Sequence, residues 1–219
     1  MQESVSPKII SVNIGLPRVV EWKGRQVETG IFKEPVDKPL MLRRLNFDGD
    51  RQADLTVHGG ADKAVYAYPA EHYLYWRQLL TEQSLPWGMF GENLSTEGLN
   101  EETVYIGERF KIGQAVLMAT QPRMPCYKLG LKFGRPEIVR QFLASRRTGF
   151  YFAVLEEGLV APGDTIERLD RPDNGVNIAV ITELYVQKKP DPALLSKVIE
   201  QPGLAESWRT YFEEQLIRA

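Results

Sequence analysis

Cysteine and histidine are the scarce residues of this 219-residue chain: one cysteine, Cys126, and two histidines, His58 and His72. A single cysteine makes no internal disulfide and no Cys₄ or Cys₂His₂ zinc site within one chain. It cannot hold an iron–sulfur cluster either. No run approaches the ~20 apolar residues of a membrane span. The stretch Met1–Pro7 has neither the basic cluster nor the apolar core of a secretory leader. No membrane association and a cytoplasmic location are therefore expected. An excess of either charge is also missing: Lys plus Arg number 27 and Asp plus Glu 29, a net −2. A general nucleic-acid binder would show a basic excess, so no nucleic-acid partner is expected. Walker A, GxGxxG, HExxH and GxSxG patterns are all absent.

What is present is ordinary globular material, 43% hydrophobic and 26% charged, enough to bury a core without staples. Residues 1–171 read as β-rich. Ile9, Ile10, Val12 and Ile14 begin a strand that Gly15 and Pro17 end. Leu40, Leu42 and Leu45 alternate with polar residues before the turn Asp48-Gly49-Asp50. Val65–Tyr68 is a further apolar run, and Thr103–Thr120 is hairpin material turning at Gly107 and Gly113. Gly149–Leu155 and Asp164–Leu169 complete a set of short strands that suggests a barrel or sandwich. Helices are expected at about 69–80, with Tyr73, Trp76 and Leu80 on one face, and at about 136–147. After Arg171-Pro172-Asp173-Asn174-Gly175 the character becomes helical. Three helices are expected over 177–188, 192–201 and 205–218, with Asp191-Pro192 as cap and first helical residue. So few residues bury little alone. They are expected to pack on the barrel or on a second subunit, which makes a homodimer one outcome.

Three clusters carry candidate chemistry. Cys126 lies in Gln121-Pro122-Arg123-Met124-Pro125-Cys126-Tyr127-Lys128-Leu129. The prolines favour a stiff, non-helical loop, and Arg123 and Lys128 would lower the thiol pKa toward the nucleophilic, metal-binding thiolate. A small buried hydrophobe is the other reading of a lone cysteine. His58-Gly59-Gly60-Ala61-Asp62-Lys63 has paired glycines whose N–H groups can converge on an anion, with Lys63 adding charge; it reads equally as a plain turn. Phe90-Gly91-Glu92-Asn93-Leu94 offers Asn93 and its backbone to a polar heterocycle, or else is a capped turn. His72, beside Glu71 and Tyr73, reads as structural.

Together, and in this order, these stretches resemble the MOSC domain family, and within it the YiiM type. The matching segments include Val57–Ala64, Tyr68–Trp76, Phe90–Thr96 and Gln121–Leu129. The resemblance spans nearly the whole chain. It implies a mainly β fold with α, a MOSC-type β-barrel over 1–171 followed by a small three-helix region over 172–219. It further implies a molybdenum cofactor, a pterin dithiolene with a terminal phosphate, with Cys126 as catalytic residue and metal ligand. On the same footing, Arg123 and Lys128 offset the anionic cofactor. His58, Gly59, Gly60 and Lys63 hold its phosphate or pterin, Asn93 meets the pterin edge, and Asp62 orients a cationic neighbour. The implied activity is cleavage of N–O bonds in small N-hydroxylated compounds such as 6-N-hydroxylaminopurine. Without a flavin or iron–sulfur motif, electrons would come from a separate reductase. Two alternatives remain at this point: a sulfur-carrying or cofactor-handling protein with a persulfide on Cys126, and a non-enzymatic module that binds another anion.

Overall fold

The computed structural model describes residues 6–53 and 59–218. The chain opens with β1 (Lys8–Ile14), followed by the hairpin β2 (Arg18–Trp22) and β3 (Arg25–Thr29), then short β4 (Glu34–Val36) and β5 (Leu40–Leu42). β6 (Val65–Pro69), buried at every position, leads into α1 (Glu71–Leu79), and the chain returns through residues 80–93 to β7 (Leu94–Glu97). β8 (Arg109–Ile112) and β9 (Ala115–Pro122) are the hairpin expected there, turning at Gly113 with φ +58°. α2 (Tyr127–Phe133) and α3 (Ile138–Ser145) come next, then β10 (Phe150–Glu156), β11 (Gly158–Val160) and β12 (Ile166–Asp170). The chain ends in α4 (Ile178–Val186), α5 (Pro192–Ile199) and α6 (Glu206–Arg218).

Eight strands form one sheet in the order β12-β8-β9-β10-β6-β7-β1-β4. Among the described strands only β6 and β7 pair in parallel. A parallel pair needs a crossover longer than a hairpin turn, and α1 with the 80–93 segment supplies it. Register shifts in β1, β10 and β12 bend the sheet. The expected barrel is thus a curled sheet without a continuous closed ladder. Its β1 and β12 sides meet through the single bridge Lys8–Thr165, with Ile9 N donating to Asp164 O (2.9 Å) and Gly163 N to Ile9 O (2.8 Å).

The interior of the curl is apolar, with Val12, Phe110, Leu117, Phe150 and Phe152 fully buried. The same cluster continues into the C-terminal helices through Ile181, Leu195, Val198, Trp208 and Phe212. The helices therefore complete the barrel's core. Their caps are those expected at Asp191, which accepts from Ala193 N (3.0 Å), and also Asn177, which accepts from Val180 N (3.0 Å). Glu108, 1% exposed, receives both Arg168 and Arg171 and ties the chain leaving β12 to the β8 turn.

A second cluster is aromatic and lies under α1, α2 and α3. Tyr68 stacks on Phe90 at 4.5 Å, and Trp76 lies parallel to Phe142 at 5.9 Å. Trp76 Nε1 donates to the Tyr68 hydroxyl at 2.6 Å. Tyr73, Trp76 and Leu80 all face inward, as the spacing predicts.

Several elements escape the sequence reading: the short strands β4, β7 and β11, the β2–β3 hairpin and α2. The β2–β3 hairpin turns at Lys23-Gly24, both with positive φ (51° and 73°), a two-residue turn that suits the strand twist. Its strands are largely exposed, so no apolar alternation announces them. The stiff loop expected around Cys126 ends at Cys126 itself. Its backbone is extended (φ −120°, ψ 175°), and α2 starts at the next residue and stops at Gly134 in the left-handed region. Proline 125 restricts the backbone before it but leaves the residues after Cys126 free to coil.

The turn at residues 88–93 is held by a buried carboxylate. Glu92, fully buried, accepts from Tyr73 Oη (2.5 Å), Gly88 N (2.8 Å), Phe90 N (3.0 Å) and Ser95 Oγ (3.0 Å). Burial raises its pKa, opposed by the Tyr73 hydrogen bond and by the charge of Lys132. Four donors converge on a group that only accepts. Glu92→Gln turns one oxygen into an N–H₂ facing donors and leaves buried groups unsatisfied. It should lower the unfolding free energy in urea by roughly 1–3 kcal/mol; an unchanged midpoint and slope would show that the carboxylate does not hold the turn.

Candidate functional site

The curled sheet leaves a cleft at the β9–α2 junction, enclosing about 670 Å³ of space with its open mouth included. Its walls come from sequence-distant pieces: residues 29–33 after β3, residues 51–53, the turn before β6, the 88–93 turn, the end of β9, and Tyr151 on β10. Cys126 lies in this cleft, half-buried. Its carbonyl accepts from Leu129 N (3.0 Å), which fixes the thiol at the first turn of α2.

Five cationic side chains line the cleft: Lys33, Arg51, Lys63, Arg123 and Lys128. Among the described lining residues none is acidic, although the chain as a whole carries net −2. Arg123 is the most telling. It is 5% exposed, and its Nη1 is buried with no hydrogen-bond partner in the protein. Its guanidinium lies 4.9 Å from the ring centre of Phe142 and 5.4 Å from that of Tyr66, contacts that favour the cation but give Nη1 no hydrogen-bond acceptor. Tyr151 shares this corner. Burial raises its pKa and the neighbouring Arg123 charge lowers it, whereas Cys126 raises it.

The remaining polar groups hold the walls. Asp50, buried behind the cleft, pairs with Lys33 Nζ at 2.5 and 2.7 Å and accepts from Gly15 N at 2.9 Å. Asn93 Nδ2 donates to Asp50 Oδ2 (2.9 Å) and Asn13 O (3.3 Å), and its Oδ1 accepts from Tyr66 N (3.2 Å). The amide of Asn93 borders the cleft but is committed to the protein's own groups. Asp50 takes the charge of Lys33 but leaves the other four cations facing the cleft.

Of the residues singled out by sequence, Cys126, Arg123, Lys128, Lys63 and Asn93 come together here. His58 lies outside the described residues. Gly59, Gly60 and Asp62 form the turn that delivers Lys63 and do not themselves line the cleft. Gly60 has φ +98° and its carbonyl accepts Lys63 N at 3.1 Å, so that N–H serves the turn. The Asp62 carbonyl is clasped by Thr120 Oγ1 (2.7 Å) and Gln121 Nε2 (3.1 Å). Burial lowers the pKa of Lys63, and the neighbouring Asp62 charge raises it. His72 is structural: its Nε2 lies 2.8 Å from Glu101, which also accepts from Gly149 N at 2.7 Å. Lys33, Arg51, Tyr66 and Tyr151 were not legible as site residues. Nothing local marks them, because tertiary folding alone brings them to Cys126.

The site therefore offers one thiol, an excess of positive charge among its described lining residues and a buried guanidinium whose Nη1 has no partner among them. Such a pocket suits a multiply charged anion that also bears a soft metal or another thiol-reactive centre. Comparison with known proteins agrees with this geometry. The family model of the MOSC domain matches residues 54–167. The uncharacterized protein YflK of Bacillus subtilis is 44% identical over 204 residues, 93% of this chain and 92% of that protein. The protein YiiM of Escherichia coli is 36% identical, over 82% of this chain and 81% of that protein. A protein of Gibberella moniliformis named "Reductase" is 36% identical over 68% of this chain but only 27% of its own length. The crystal structure of YiiM from Geobacillus stearothermophilus superposes with a TM-score of 0.81 at 32% identity, covering 96% of this chain and 99% of that one. The chain belongs to the MOSC domain family and resembles its YiiM members over nearly its whole length.

Proposed function

We propose that this protein is an oxidoreductase that holds a molybdenum cofactor through Cys126 and reduces N-hydroxylated compounds, 6-N-hydroxylaminopurine among them, with electrons from a separate reductase. The observation that carries this reading is the cationic cleft that holds Cys126, with no acid among its described lining residues and with Arg123 Nη1 unpartnered among them. The donor set fits the cofactor. Its phosphate and dithiolene are anions, and its metal is a soft acceptor for a thiolate. Among the described residues no three of His, Cys, Asp and Glu cluster to hold a bare ion. A metal bound at Cys126 would thus draw further ligands from a cofactor.

When bound, the cofactor supplies the two-electron chemistry that breaks the N–O bond. The chain's own residues do the rest. Cys126 tethers the metal through its sulfur. Arg123 gives its spare N–H groups to an anionic oxygen, and Lys63 and Lys128 balance the remaining charge. Asn93 and Asp50 fix the wall behind. Phe90, Met124 and Tyr66 supply apolar surface against which a flat heterocycle packs. No helix among the described residues is long and apolar enough to cross a membrane.

Two measurements test the reading. Protein made in a host with intact cofactor synthesis, supplied with a chemical reductant, should convert 6-N-hydroxylaminopurine to the amine. Cys126→Ala should lose at least about 100-fold of that rate, by the scale of losses at metal-site residues. A metal-free wild type carrying cyanolysable sulfur on Cys126 would instead make it a sulfur carrier. Arg123→Gln removes the buried cation and leaves a shorter, neutral polar side chain in its place. It should lower cofactor content per chain at equal Cys126 content, and unchanged content would remove Arg123 from the binding role.

A further inference from the structure

Behind the cleft lies a cation that does not line it. Lys132, on the second turn of α2, is largely buried, and its Nζ donates to Ile31 O at 2.9 Å and to Gly88 O. These carbonyls belong to the two segments that form one wall of the cleft. The segments are locked together: a Cβ on Gly91 would lie 2.8 Å from Ile31 Cγ1, and one on Gly88 would lie 2.8 Å from Lys33 O. Both glycines have φ above +80°, so the close approach depends on them. Lys132 thus pins that wall to the helix that begins at Cys126.

We propose that Lys132 is a positioning residue of the cleft, latching the wall of residues 29–33 and 88–91 to the Cys126 helix and adding to the positive field that receives an anion. The proposal deepens the anion-holding role given to the cleft and rests on that role alone, so it can be tested on metal-free protein. The groups facing the Lys132 ammonium are Glu92, which favours its charge, and Lys33, Arg18 and Arg123, which oppose it. The ring of Phe32 lies 5.7 Å from Nζ. Burial, first, and then the three cations bring its pKa down to about 7.

The sign of the pH effect follows. Below about pH 7 Lys132 is charged and adds to the field. Above it, a neutral amine keeps two N–H groups for the two carbonyls, so the latch persists while the charge is lost. An anion in the cleft would raise this pKa again and draw in a proton, because the coupling is reciprocal.

The single thiol is the reporter. The full chain, prepared without cofactor, is alkylated with anionic iodoacetate and neutral iodoacetamide between pH 6 and 8.5. Both reagents need the same thiolate, so the ratio of their rates cancels the titration of Cys126 and reads the local field. In the wild type the ratio should fall by about threefold through neutral pH, the scale of losing one unit charge across a partly solvated site. In Lys132→Arg it should stay high without a step, because the guanidinium does not titrate. In Lys132→Met it should be low and flat. A step of equal size in all three proteins assigns it to another group and overturns the proposal. A flat wild-type ratio overturns it even if neither variant folds.

Discussion

Positive charge gathered from many loops onto one cleft is the constraint around which this structure is arranged. Four cations face one cleft with no carboxylate among the described lining residues, and a fifth, Lys33, is matched from behind by Asp50. Desolvating a guanidinium such as Arg123 without a carboxylate partner is costly. A chain of net charge −2 has acids available, yet among the described residues buried acids such as Glu108, under the C-terminal linker, and Glu101, beside His72, serve other partners. In the function proposed here, the partner arrives with the ligand and offsets that cost. A fold that neutralised Arg123 internally would have no binding energy left for an anion.

The rest of the molecule keeps that arrangement from relaxing. Asp50 and Asn93 knit β1, β6 and the 88–93 turn into one buried polar network, every member of which has a partner. Glu92 gathers four donors beneath the same turn. The aromatic cluster of Tyr68, Trp76, Phe90 and Phe142 supports it from below, and Phe142 also bears the face of the Arg123 guanidinium. Packed aromatic rings and satisfied hydrogen bonds leave little freedom, so the cations cannot drift apart to lower their mutual repulsion. The C-terminal helices contribute at a distance, completing the barrel's core through Trp208 and Phe212.

Much of this was legible in the residues. Strong patterns gave β1, β6, the β8–β9 hairpin, the buried face of α1, the three C-terminal helices and the Asp191 cap of α5. The exposed β2–β3 hairpin was not legible, because its side chains bury too little to alternate. Nor was α2, since the flanking prolines mask a helix that starts one residue after Cys126. Within the site, Cys126, Arg123 and Lys128 reach the same cleft as neighbours in the chain segment 121–129. Lys33, Arg51 and Tyr151 are far apart in sequence and join only when the sheet curls. Glu92 looked like part of a ligand-facing turn, and its side chain instead looks inward. Sequence neighbours reveal chemistry held on one loop, whereas charge gathered from many loops is a property of the tertiary fold.

The central claim is that the sulfur of Cys126 joins the coordination sphere of a bound molybdenum. X-ray absorption at the molybdenum edge tests this most directly, on wild type and Cys126→Ser loaded in the same host. Two sulfur neighbours from the dithiolene plus one from Cys126 predict three Mo–S contacts in the wild type and two in the variant. An equal sulfur count in both proteins, at comparable molybdenum content, would contradict it.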